Sequence, residues 1–106
     1  LDSNVELMDG VKDVNVYNKI FEAVEKVPGA SNPHRVRSRM IGNRYIITLD
    51  IEVNPQITIT QAHEIAGAVE KSIESSIDNV YDILVHVEPA GECQTDEKFG
   101  VDKDMV

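Results

Sequence analysis

Apolar positions along the chain recur first at helical spacing, then at strand spacing, then at helical spacing again. Between about residues 13 and 27, Val16, Ile20, Val24 and Val27 return every three or four residues with Phe21 beside them, which predicts an amphipathic helix. Asp13 or Asn15 can cap its start, and the Pro28 and Gly29 pair stops it. "HRVRSRM" then alternates, with Arg35, Arg37 and Arg39 on one side and Val36, Ser38 and Met40 on the other. "IGN" at 41–43 makes a tight turn into "RYIITLDIEV". There Tyr45, Ile47, Leu49, Ile51 and Val53 share one face, and Ile46, Thr48, Asp50 and Glu52 the other. The two strands read as a hairpin. After "NPQ", Thr58 and Gln61 have capping-box spacing, and Ala62, Ile65, Ala66, Val69, Ile73 and Ile77 form one helical stripe. "VYDILVHVEP" is a last strand, ended by Pro89.

The order is therefore αββαβ. Both helices are expected on one face of a three-stranded sheet, an open-faced ferredoxin-like sandwich lacking its first strand, with the last strand returning beside the first. The helices would cover Ile47, Leu49, Ile51, Ile83 and Val85. The other face would hold Arg37, Arg39, Thr48, Asp50, Leu84, His86 and Glu88 with nothing from this chain over it, so a second copy is the expected cover. Residues 1–12 read as a lead-in segment, 13–89 as the folded domain and 90–106 as an acidic flexible tail.

At 106 residues with a net charge of −9, this is one small domain without the basic footprint that a phosphate backbone or anionic lipid heads require. The single cysteine, Cys93, falls in the tail, which excludes an internal disulfide and suits a reducing compartment. No apolar run is long enough to span a bilayer, and no signal peptide is seen. The start at Leu1, not Met, reads as a fragment or a processed product. No phosphate-binding loop, HExxH or CxxC occurs, and Cys93 lacks a held base, so no enzyme chemistry is expected.

The candidate chemistry is ligation. His34, His63 and His86 are the only histidines; His86 and Glu88 are two apart on a strand and share a face, where their side chains can converge on an ion. Taken singly, each has a plainer reading. His63 and His34 suit ordinary surface residues, and Asp50 suits an exposed carboxylate repelled by Glu52. Strand parity also separates them: His34 is in phase with core-facing Val36, whereas Asp50 and His86 are on the open side, unless His34 precedes the regular strand.

"GASNPHRVRSRMIGNRYIITLDIEV", "TITQAHEIAGAVEKSI" and "YDILVHVEP", in that order, resemble the cytoplasmic C-terminal domain of cation diffusion facilitator transporters. "ELMDG" resembles the segment after that family's last membrane helix. The likeness covers about residues 5–91. It implies a metallochaperone-like fold on the cytoplasmic side of a membrane, pairing as a homodimer beneath the membrane-spanning part of the same protein. It also implies a divalent metal near the dimer interface, held by His34, Asp50, His63, His86 and Glu88. Zinc is the expected ion. Asp50 stands where some members carry histidine, which hardens the set and keeps manganese, cobalt or iron in reach. The expected function is a metal-sensing dimerisation domain of an efflux transporter, in which bound cations offset the repulsion of two acidic domains. A passive dimerisation module and a free-standing small-molecule regulatory domain are the alternatives.

Overall fold

Helix α1 spans Val14–Glu25 in the computed structural model of the chain, which describes residues 14–91, 100, 101 and 103. Tyr17, Ile20, Phe21 and Val24, one helical stripe, are all buried. Tyr17 extends the predicted stripe: its ring is in the core, and its hydroxyl accepts a hydrogen bond from the Ser38 N–H at 3.2 Å. The helix ends in a turn closed by Val27 N–H to the Val24 carbonyl and Ala30 N–H to the Val27 carbonyl. Gly29 has φ +93°, and a Cβ there would press on Ile65 Cδ1 at 2.9 Å, so a glycine is required twice over.

Strands β1 (Ser31–Ile41) and β2 (Arg44–Val53) pair antiparallel through a two-residue turn that puts Gly42 at φ +60°. Helix α2 (Ile59–Ser76) starts with the predicted capping box. Thr58 Oγ1 accepts from the Gln61 N–H at 3.0 Å, and Gln61 Oε1 accepts from the Thr58 N–H at 2.9 Å. Its buried Val69 and Ile73 meet α1, and Ser72 Oγ donates to the Ala23 carbonyl at 2.8 Å. Strand β3 spans Val80–Pro89. Ile47, Leu49, Ile51, Val53 and Ile83 close the core from the sheet, on the face assigned to it by alternation.

The strand order corrects the expected one. It is β1-β2-β3, and β3 lies parallel to β2, not beside the first strand. Parallel neighbours need a long crossover, which the 18-residue α2 supplies. Val36 of β1 is moreover paired antiparallel with Val101 through two backbone hydrogen bonds of 2.8 and 2.6 Å. Val101 and Lys103, whose ammonium meets Glu25 at 2.7 Å, thus touch the domain from within the segment expected as a flexible tail. The lead-in at 1–12, the cap candidate Asp13, and residues 92–99, 102 and 104–106 of the tail, Cys93 included, lie outside the described residues. Among the described residues no helix is long and apolar enough to cross a membrane.

Candidate metal centre

Asp50 and Glu88 are the buried charged residues of the described chain, at 6% and 8% exposure, and both stand on the face that the helices leave open. Parallel pairing sets Asp50 beside His86 and Glu52 beside Glu88, so two acids and an imidazole–acid pair fall at one end of the sheet. His86 and Glu88 project together, as their spacing requires.

His34 joins them because β1 is irregular. Between Ser31 and His34, and again between His34 and Arg37, three residues of β1 oppose two of β2. Each extra residue is a bulge that reverses the side-chain parity of a strand. Asn32 (φ 48°) and Arg35 (φ 51°), both non-glycine residues at positive φ, flank His34. Two reversals around one residue turn His34 to the open face while Val36 stays in the core with no exposed surface. The parity obstacle of the linear sequence is removed by backbone geometry.

The result is a tight cluster. His34 Nε2 is 3.0 Å from Glu88 Oε1 and 3.8 Å from Asp50 Oδ2, and His86 Nδ1 is 3.5 Å from both Asp50 Oδ1 and Glu88 Oε2. Arg35 Nη1 is 3.3 Å from Asp50 Oδ2. Asp50, His86 and Glu88 can each offer a ligand atom within 4.8 Å of the others, and so can His34, Glu52 and Glu88, so Glu88 is common to both groups. Glu52 was read from sequence only as a repulsive neighbour of Asp50. The signal that finds it is its register opposite Glu88, which needs the parallel pairing of β2 with β3. Asn32 Nδ2 donates to Glu52 Oε2 at 2.8 Å and fixes that carboxylate. His63 is exposed, in the first turns of α2, and belongs to neither group.

The residues fit a divalent cation on three grounds. Ligands about 2.1 Å from a tetrahedral ion lie roughly 3.4 Å from one another, close to the 3.5 Å separations around His86. Glu88 Oε1 and Asp50 Oδ2 are buried without a hydrogen-bond partner among the described residues, an arrangement that requires an explanation. His34 Nδ1 is 2.7 Å from the Asn32 carbonyl, which can only accept, so Nδ1 carries the proton. Neutral His34 therefore aims an Nε2 lone pair at the Glu88 carboxylate, a repulsive contact unless a proton or a metal ion joins them. Without metal a proton does so: burial opposes the charged ring, but the Asn32 carbonyl and the carboxylates of Glu88 and Asp50 outweigh it and hold His34 above the usual histidine range.

An open-faced αββαβ sandwich with a histidine–carboxylate cluster at one sheet end is the class that fold and site define. Residues 10–90 match the family model of the cytoplasmic domain of cation efflux proteins. The chain belongs to that family, the cytoplasmic domains of cation diffusion facilitators, which are transporter domains and not enzymes. It is 34% identical over 88 residues to the magnetosome protein MamM of Magnetospirillum gryphiswaldense, covering 83% of this chain and 28% of MamM. With the manganese efflux system protein MneS of Bacillus subtilis it shares 30% over 92 residues, covering 83% and 30%. The chain thus spans about a quarter to a third of these relatives. The metal-bound C-terminal domain of the CzcD transporter from Thermotoga maritima superimposes with a TM-score of 0.74 at 36% identity, covering 78% of this chain and 96% of that one. A cadmium form of a variant MamM C-terminal domain gives 0.68 at 34%, covering 72% and 95%.

Proposed function

We infer that this chain is the metal-sensing part of a divalent-cation efflux transporter, binding a zinc-class ion through His34, Asp50, His86 and Glu88 and pairing with a second copy across the open sheet face. The observation that carries the reading is Glu88: a buried carboxylate shared by two donor groups, with one oxygen facing His34 Nε2 at 3.0 Å and the other facing His86 Nδ1 at 3.5 Å. Pairing is supported by the exposed Leu84 (65%) beside Ile46 on that face and by a family model named for a dimer. His63 becomes a ligand only if pairing or closure brings it to the cluster. The ion's class follows from the donors, two imidazoles among carboxylates, which suit zinc and leave manganese, cobalt and iron within reach.

The ion works by linkage. A ligand that binds only the closed pair, present at about 100 times its Kd, favours closure by roughly 2.7 kcal/mol, enough to move a hinge equilibrium about a hundredfold. Calorimetric zinc titration of chelator-treated protein, with small-angle scattering on the same samples, tests this. Binding at micromolar Kd or tighter with a smaller radius of gyration, both lost in His86→Ala, is the expected result. No heat and an unchanged dimer would leave a passive dimerisation module.

A further inference from the structure

Arg35 is a cation that the fold inserts among the candidate ligands. It follows His34 inside the bulge, at φ 51°, a backbone conformation that side chains other than glycine and asparagine rarely adopt. Its guanidinium reaches Asp50 Oδ2 at 3.3 Å, on the oxygen that also faces His34 Nε2. The backbone there is held from outside. Val36 is paired with Val101, and Gly100, at φ +88°, packs so closely that any Cβ would collide with the Arg35 carbonyl. The segment at 100–101 therefore holds in place a strained residue whose guanidinium meets a buried candidate ligand.

We propose that Arg35 is a built-in competitor of the metal: it neutralises Asp50 when no ion is bound and must yield that oxygen, or tolerate a divalent charge beside it, when one binds. This rests on the metal-binding reading above and adds what sets the affinity. A buried carboxylate without a cation is unfavourable, so Arg35 holds the metal-free cluster together. The same positive charge opposes an incoming ion, so it raises the concentration at which the site fills. A sensor benefits from both, because an empty site that stays folded and fills only above a threshold reports a rise in metal and not its mere presence.

The two effects have opposite signs, which separates this role from a structural one. Zinc chloride is titrated calorimetrically into the 106-residue chain carrying Arg35→Met or Arg35→Lys, and melting of each is followed in chelator. Arg35→Met is expected to bind zinc about tenfold tighter or more while melting at a lower temperature without metal. Arg35→Lys, which keeps the charge, should return the affinity most of the way to wild type. Folded Arg35→Met with unchanged or weaker zinc binding would overturn the proposal while leaving the metal site intact. Equal tightening in Arg35→Lys would overturn it too, since charge would not be the cause. Zinc binding in Arg35→Met where wild type is silent would support it strongly; silence in both would overturn it together with the metal reading.

Discussion

Glu88→Gln tests the site where it is most constrained. The substitution keeps the shape of the side chain and removes one negative charge from a residue 8% exposed. Without metal it does two opposing things. It takes away the partner that His34 meets at 3.0 Å, and it relieves repulsion from Asp50, which shares the His86 contact, and from Glu52, its neighbour across the strands. These offset, so stability in chelator should change by no more than about 1 kcal/mol, or roughly 4–8 °C in a domain of this size. With metal nothing offsets, because Glu88 is the shared donor. In wild type, zinc at about 100 times its Kd should add about 2.7 kcal/mol and raise Tm by roughly 10–20 °C. In Glu88→Gln at the same zinc concentration, most of that rise should vanish. Differential scanning calorimetry of both proteins, in chelator and in zinc, measures all four values. A zinc-induced rise in the variant equal to that of wild type would refute the placement of Glu88 at the centre of the site.

His34 gives the pH dependence. Its pKa is raised in the folded state, so its stabilising contribution is fully present below the ordinary histidine pKa and is lost as pH rises through the raised value. The metal-free domain should thus melt higher at about pH 6 than at about pH 8, and His34→Gln should flatten that difference. Zinc must displace the same proton, so zinc-induced stabilisation should instead grow over this window. Gly29→Ala meets both a positive φ and Ile65, and should cost about 1–3 kcal/mol in denaturant melts with no effect on zinc affinity. Thr58→Ala removes the hydroxyl that accepts from the Gln61 N–H and leaves the Thr58 backbone N–H to Gln61 Oε1 bond possible; it should cost about 1 kcal/mol, again sparing the site.

Most of the fold could be read in the residues because each element carried its own period. "RYIITLDIEV" and "VYDILVHVEP" are strands over the residues that alternation and Pro89 mark, and the capping box fixes the start of α2. Strand order could not be read the same way, since alternation says which face a side chain takes and nothing about which edge its strand joins. Val101 on the outer side of β1 is a contact across 65 residues that no local pattern announces. The site divides along the same line. His86 and Glu88 follow from period 2 alone. His34 does not, because period 2 assigns it to the core and only the bulges at Asn32 and Arg35 reverse that. Glu52 depended on a register, and a register depends on the strand order.

The same geometry changes what the acidic balance means. A net charge of −9 suggests a domain that repels cations' competitors and its own copies uniformly, yet the charge is sorted along the sheet. The hairpin from residue 37 to 44 carries Arg37, Arg39 and Arg44 and no acid, while the opposite end of β2 and β3 carries Asp50, Glu52 and Glu88. At physiological salt, charges more than about 8 Å apart are largely screened, so the total counts for little. What an ion meets is three carboxylates within a few ångströms, two of them buried, against one guanidinium and the imidazoles of His34 and His86. One divalent ion alters that local sum by an amount comparable to the sum itself. On this reading the response of the domain to metal is set by the six side chains His34, Arg35, Asp50, Glu52, His86 and Glu88 at one end of a sheet, and exchanging surface acids elsewhere should leave it undisturbed.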